Sequence, residues 1–455
     1  MTSPPNIIVF FTDQQRWDCS GLHGNPLELM PNFDRMARAG THVAHSFTCQ
    51  PVCGPARSSL QTGQYATTTG VYRNGIALAE GSRTLARCFR EAGYRTGYIG
   101  KWHLAPHERV GPVPEPFRGG YETWLASNLL EFTSDAWDLR LYDEAEREVR
   151  LPGYRVDAQT DAAIRYVDRH RKEPFFLFLS YLEPHHQNHR DDYPAPEGYD
   201  ERYRGRWTPP DLAALGGSTQ RHLGGYYGMV KRLDEALGRL MDALKSLGLA
   251  ENTIILFTSD HGNHFRTRNG EYKRSCHDSS IRVPTAFTGG PFTGGGERRE
   301  LVSLVDLPPT LLDAAGLPVP ETMQGRSLLP LLRGGGGETP WPEEVFVQIS
   351  EAEVGRAVRT RRWKYAVRAE KADPVGDAGS DVYTESFLYD LQSDPYELEN
   401  LVAHSSHERV REVMRERLLR RMSGAGETPP AILPSPHAPP PGSGGRRVGE
   451  DEARG

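Results

Sequence analysis

Short unbroken apolar runs alternate along this chain with stretches that carry a helical stripe. Residues 7–11, Ile-Ile-Val-Phe-Phe, form a continuous apolar run with β-branched members, the pattern of a strand buried on both faces. Residues 175–181 and 253–258 repeat it, and Thr41–Phe47, 96–99 and 283–287 read as shorter extended segments. Between them lie helical patterns at Pro31–Ala39, stopped by Gly40, at 82–92 with Ser82 as cap and Gly93 as stop, and at 156–170. The longest, residues 226–247, puts Val230, Leu233, Leu237, Leu240, Met241 and Leu244 on one stripe before Gly248. A further helix is expected at 307–315. This alternation predicts an α/β fold: a large mixed, mostly parallel sheet sandwiched by helices.

Gly334 to Gly337, with Pro340 and Pro342, mark a boundary. Beyond it, residues 345–349, Gly355–Thr360, Trp363–Arg368 and 386–389 read as strands of a smaller C-terminal α+β domain, closed by a helix at 407–422. The expected organisation is a large domain at 1–335, a small one at 336–422, and a disordered Pro/Gly-rich tail at 423–455, richest at 439–445.

Composition narrows the class. At 455 residues the chain is long enough for two units, and its net charge of -6 excludes nucleic acid as the main partner. Five cysteines (Cys19, Cys49, Cys53, Cys88, Cys276) lack paired spacing, which points to a reducing compartment rather than a disulfide framework. With no basic leader, no signal peptide and no apolar run of membrane-spanning length, the expectation is a cytoplasmic protein without a membrane partner.

Candidate chemistry gathers where strands end. Ligands of open α/β sheets bind beyond the carboxyl ends of the strands. Asp13-Gln14, Lys101-Trp102-His103, Glu183-Pro184-His185 and Ser259-Asp260-His261-Gly262 each follow one of the expected strands. A fifth stretch, Cys53-Gly54-Pro55-Ala56-Arg57, opens a short helix with Pro55 read at its first position and Gly63 as its stop. A cysteine at a helix N-terminus faces free N–H groups, which lower a thiol's pKa and favour an anionic ligand.

Cys53-x-Pro55-x-Arg57 with Leu60-x-Thr62-Gly63 resembles the signature of the formylglycine-dependent sulfatases of the alkaline phosphatase superfamily. The resemblance extends from Asn6 to about Val402. It implies that Cys53 is converted to formylglycine by a formylglycine-generating enzyme acting on the motif. It also implies one divalent cation held by Asp13, Gln14, Asp260, His261 and residue 53, with Ca2+ favoured and Mn2+ the alternative. The implied catalytic residues are Cys53, Arg57, Lys101, His103, His185 and Lys273, the last preceding Ser279-x-x-Arg282-Val283-Pro284 at the family's interval; Asn74, His185 and Lys273 would contact substrate. The implied activity is hydrolysis of a small anionic sulfate monoester, a sulfated carbohydrate or an aryl sulfate, through a covalent sulfo-enzyme intermediate. Gln14 and His261 depart from the commonest pattern and also resemble phosphonate monoester hydrolases, so a phosphonate or phosphodiester hydrolase is the alternative. A non-catalytic sulfo-sugar binder is a third reading, should Cys53 stay a thiol. His264, Arg266 and Arg268 could line the substrate mouth, but they and His277 read better as solvated loop residues; His186, His189 and Arg190 form a polar cluster with the same two readings, and Tyr272 with Arg266 and Arg268 is compatible with a sulfated sugar.

Overall fold

A computed structural model describes residues 4–333 and 340–436. Its larger part is a ten-stranded sheet in the order β10-β2-β9-β8-β1-β7-β3-β4-β5-β6. The strands are β1 (Asn6–Thr12), β2 (Thr41–Phe47), β3 (Arg95–Lys101), β4 (Thr123–Ser127), β5 (Leu139–Tyr142), β6 (Glu148–Leu151), β7 (Phe175–Ser180), β8 (Thr253–Ser259), β9 (Ala286–Thr288) and β10 (Gly296–Ser303). From β8 to β4 every neighbouring pair is parallel, and antiparallel strands lie outside that block.

The apolar run of β1 supplies both faces, as its sequence requires. Ile8 and Phe10 join Val230, Leu233, Leu237 and Leu240 of the long helix on one side. Ile7, Val9 and Phe11 join Ala56 and Leu60, from the helix that Cys53 opens, on the other. Register then decides where chemistry falls: Thr12 of β1 sits beside Ser259 of β8, and Phe11 beside Ser180 of β7. The residues after these strands therefore emerge side by side.

A second sheet, in the order β11-β12-β13-β14-β15, is built from β11 (Glu344–Ile349), β12 (Gly355–Thr360), β13 (Trp363–Arg368), β14 (Val382–Asp390) and β15 (Ala431–Leu433). Val410, Met414, Leu418 and Met422 of the helix Glu408–Gly424, spaced by four, pack against Val358, Trp363, Tyr365 and Val367. Its other face meets the large part through Val347, Ile349, Ala357 and Ala366 against Phe47, Ile281 and Leu301.

Several boundaries differ from the sequence reading. The helix expected from Ser82 begins at Leu85, with Thr84 as its cap, its hydroxyl accepting from Arg87 N–H at 3.3 Å. The long helix starts earlier, spanning Thr219–Ser246. Gly224, Gly225 and Gly228 disguise its first turns; a Cβ on Gly225 would stand 2.3 Å from the Tyr193 carbonyl oxygen, so close packing requires them. The strand expected at 283–287 shortens to β9, and β10 was missed because Glu297, Arg298, Arg299 and Glu300 charge an edge strand. The tail expected to be disordered from 423 is corrected in its first part: Ala431–Leu433 pairs in parallel with β14, and Ser435 N–H reaches Glu385. The glycines at 334–337 and the Pro/Gly segment at 439–445 lie outside the described residues.

Candidate active site

The helix Cys53–Thr62 is buried along its whole length, with Val52 as N-cap and Gly63, at φ 69°, closing it through its N–H to Ser59. Pro55 falls at the third position rather than the first. Its missing N–H is still among the groups that have no partner within a first turn. Gly54 N–H, which is such a group, donates to Asn74 Oδ1 at 2.8 Å.

Cys53 Sγ lies at the meeting point of the strand-end clusters. It stands 3.6 Å from Asp13 Oδ1, 3.3 Å from His261 Nε2 and 2.9 Å from Lys273 Nζ. Ligand atoms of Asp13, Cys53, Asp260 and His261 all lie within 4.8 Å of one another. Gln14 N–H donates to Asp260 Oδ1 at 2.9 Å from a left-handed backbone, φ 66°, and the Gln14 Oε1 is buried without a hydrogen-bond partner among the described residues. Its Nε2 donates to Tyr193 at 3.3 Å, so the amide oxygen is directed away from that partner. His261 Nδ1 is 3.0 Å from the Gly262 carbonyl oxygen, which makes Nδ1 the protonated nitrogen and leaves the Nε2 lone pair facing the cluster. Two carboxylates, an amide oxygen without a donor and an unprotonated imidazole nitrogen are the donor set of a divalent cation, and the residues present fit one.

Fixed positive charge surrounds these acids. Arg57 reaches Asp13 Oδ2 at 2.9 Å and Asp260 Oδ2 at 3.5 Å, while its other nitrogen donates to the Lys101 carbonyl and the Ser180 hydroxyl. Lys101 Nζ bridges Asp13 at 2.8 Å and Glu131 at 3.0 Å. Burial alone would raise the Asp13 carboxyl, but Lys101, Arg57 and Lys273 hold it well below the usual carboxylate range. Asp260 goes the other way, pushed up by burial and by its neighbour Asp13. Burial and Asp13 also oppose ionisation of Cys53, yet Lys101 and Lys273 bring the thiol down to about 7. Burial lowers His261 to about 4, keeping it neutral and available as a ligand.

His185 Nε2 lies 3.2 Å from Lys273 Nζ, and its Nδ1 is 2.7 Å from the His186 carbonyl oxygen. Burial and the Lys273 charge depress His185 well below the ordinary histidine range, so it is a neutral acceptor from the lysine. His103, at φ 62°, has its Nδ1 3.9 Å from Glu131.

The outer candidates divide. His264 is buried against the Lys273 carbonyl, His277 against Tyr389 and Ser275, and Arg268 donates to the carbonyls of Tyr396 and Glu397. These three hold loops in place. Arg266 pairs with Asp191 and lies over Tyr272, and His186 stacks between His185 and Tyr272. His189 and Arg190 both face Asp135. Glu131, which joins Lys101 to His103, was missed. Its one sequence signal is an acid set between the apolar residues Leu130 and Phe132, after a strand too short to stand out.

The family model for sulfatases matches residues 5–317, and that for the C-terminal part of N-sulphoglucosamine sulphohydrolase matches 270–423. The chain belongs to the sulfatase family. It is a hydrolase of sulfuric esters with the alkaline-phosphatase-like fold expected of such enzymes. The Ulvan-active sulfatase of Formosa agariphila is 29% identical over 439 residues, covering 93% of this chain and 82% of that protein. A structure solved in complex with its substrate D-glucosamine-2-N,6-O-disulfate aligns with TM-score 0.75 at 21% identity, covering 93% and 98% of the two chains. The phosphonate monoester hydrolase of Agrobacterium radiobacter aligns with TM-score 0.70 at 24% identity, covering 92% and 96%. These two alignments speak to the fold. Among the described residues no helix is long and apolar enough to cross a membrane.

Proposed function

We propose that this sulfatase removes sulfate from a sulfated carbohydrate, using residue 53 as formylglycine beside a single divalent cation, with Ca2+ favoured over Mn2+. The observation that carries this reading is Cys53 Sγ at 3.6 Å from Asp13 Oδ1 and 3.3 Å from His261 Nε2, with Lys273 at 2.9 Å. Two oxygen acids and an amide oxygen against one imidazole support the harder ion. The activity on ulvan named for one relative and the disulfated glucosamine bound by a structural neighbour support carbohydrate as the leaving group. Five unpaired, buried cysteines support a reducing, cytoplasmic setting in which a formylglycine-generating enzyme acts on the Cys53 motif.

A sulfate monoester needs its anionic oxygens held while the bond to the leaving oxygen breaks, so fixed positive charge does most of the catalytic work. When bound, the cation supplies a Lewis acid that lowers the pKa of the hydroxyl attacking sulfur. Hydrated formylglycine supplies two hydroxyls, one to take the sulfo group and one to expel it. Asp13, Gln14, Asp260 and His261 would hold the cation. Arg57 and Lys101 hold Asp13 ionised and orient residue 53. His103, whose Nδ1 is 3.9 Å from Glu131, would take the proton of the second hydroxyl. Because His185 is neutral and accepts from Lys273, the lysine is the proton donor toward the leaving oxygen and His185 steers it.

Gln14 and His261, together with the phosphonate hydrolase neighbour, favour phosphonate or phosphodiester hydrolysis as the second reading. The test compares sulfate, phosphodiester and phosphonate esters at equal concentration on protein whose aldehyde is verified by peptide mass. A kcat/KM higher for sulfate esters supports the proposal. Preference for phosphonate sinks it, and a fully active protein carrying only a thiol at residue 53 removes the formylglycine role.

A further inference from the structure

Glu351 follows β11 in the C-terminal part, yet both its carboxylate oxygens are engaged at the edge of the active site. Oε1 accepts from Asn74 N–H at 2.6 Å, and Oε2 accepts from the Arg274 guanidinium. Asn74 in turn accepts Gly54 N–H, the amide directly after Cys53, and Arg274 directly follows Lys273. The backbones of Glu351 and Arg274 are both left-handed, at φ 66° and 69°. Non-glycine residues keep that conformation only where their surroundings over-determine it.

The surroundings here are specific. Gln348 N–H donates to the Cys49 carbonyl at 2.8 Å, and Gln50 donates to Ser350 Oγ at 2.8 Å and to the Tyr72 carbonyl at 2.6 Å. Glu351 N–H is itself held by the Pro374 carbonyl at 2.8 Å. On the other arm, Asn269 Nδ2 binds the carbonyls of Lys273 and Arg274, at 3.1 and 3.3 Å. A free carboxylate at the mouth of an anion site would repel substrate. With both oxygens engaged and an arginine beside it, Glu351 is no ligand for sulfate; it joins the loop of Asn74, whose side chain holds Gly54 N–H, to the loop of Lys273.

We propose that Glu351 is a positioning residue of the active site, fixing the start of the Cys53 helix through Asn74 and the Lys273 ammonium through Arg274. The C-terminal part thereby completes a site whose other groups come from the larger part. The proposal rests on the reading of Lys273 as the group that assists the leaving oxygen.

The test uses full-length, aldehyde-bearing protein with Glu351→Ala and Glu351→Gln, assayed on an alkyl sulfate and on a nitrophenyl sulfate. Displacing Lys273 costs most where the leaving group needs a proton. Glu351→Ala is therefore expected to lower kcat/KM roughly 10²-fold on the alkyl ester, and far less on the nitrophenyl ester. Glu351→Gln keeps an oxygen for Asn74 but turns an N–H toward Arg274, so it shows the same discrimination with a smaller total loss. A loss of folded protein scales both rates equally and leaves their ratio unchanged. An unchanged ratio in both variants overturns the proposal.

In a double-mutant cycle, Glu351→Ala costs less on the alkyl ester in Arg274→Ala than in the wild type, because only the Asn74 arm is left to lose, and full additivity overturns the Arg274 arm. Amide exchange supplies a readout free of catalysis. Exchange in the peptides holding Asn74 and residues 270–275 should rise in Glu351→Ala and stay unchanged elsewhere; unaltered exchange there overturns the proposal. If the wild type hydrolyses neither ester, the sulfatase reading of Lys273 falls, and exchange alone decides the role of Glu351.

Discussion

The Lys273 ammonium lies 2.9 Å from the Cys53 sulfur, although 220 residues separate them along the chain. The same nitrogen is 3.2 Å from His185 Nε2, so one cation spans the nucleophile position and the neutral imidazole opposite it.

Replacing that cation tests whether it works on the transition state. Lys273→Ala removes a donor aimed at developing charge, which costs on the order of 3–4 kcal/mol, roughly a 10²- to 10³-fold fall in kcat. Melting should remain within a few degrees, because Lys273 is not part of the apolar core. Near-wild-type kcat in a well-folded variant would exclude a catalytic role.

Removing the cation tests the donor cluster directly. A ligand present at a hundred times its Kd stabilises the folded state by about 2.7 kcal/mol. Chelation should therefore lower both the melting temperature and the activity, and readdition of Ca2+ should restore both. His261→Ala and Gln14→Leu should each weaken metal retention, measured as bound metal per chain after dialysis. Stoichiometric retention in both variants would remove these residues from the ligand set.

Asp234 provides a pH test away from the active site. Its carboxylate, on the long helix, accepts the N–H groups of Asn32 and Phe33 at the start of the helix Pro31–Ala39, at 3.0 and 2.8 Å. Burial outweighs these bonds and raises its pKa from 3.8 to about 6. A folded-state pKa above the unfolded one gives stability that is complete below about pH 4 and is lost as pH rises through about 6. The shift corresponds to at most ~3 kcal/mol. Asp234→Asn should therefore compare more favourably with the wild type near neutrality than near pH 4 in denaturant unfolding. An equal difference at both pH values would count against this origin.

The junction of the two sheets holds a buried ion cluster. Lys364 Nζ, from β13, lies 2.5 Å from Asp278 and also contacts Glu397, while Arg359 of β12 reaches Asp278 at 3.1 Å. Lys364→Met leaves two carboxylates short of a partner, a change that typically costs ~3–5 kcal/mol. Unfolding should show that loss, with part of it recovered in Lys364→Met/Glu397→Gln. A neutral single variant would show that the apolar contacts alone carry the junction.

The central strands and the main helices were legible because periodicity is local, whereas the short outer strands β4, β5 and β6 and the charged edge strand β10 were not. The run at Ile7–Phe11 could only be a strand covered on both faces, and the stripe from Val230 to Leu244 only a helix against it. The Cys53 motif and the strand-end pairs Asp13-Gln14 and Asp260-His261 were equally plain, since each is a short string of residue types. Their convergence follows from parallel registers such as Thr12 beside Ser259, which no single segment specifies.

Tertiary structure alone decided the rest. Glu131 and Glu351 reach the active site through packing of distant elements, and neither sits in a motif. Gly224, Gly225 and Gly228 weaken a helix by propensity, yet the helix runs through them because Tyr193, Asp200 and Tyr199 press too close for side chains. His264, Arg268 and His277 carry binding chemistry by type but are engaged in holding loops. The chain thus declares by itself which main elements form and which chemistry is at hand. Which polar groups meet substrate and which merely brace the walls depends on contacts between residues hundreds of positions apart, where burial and charge select one partner from many.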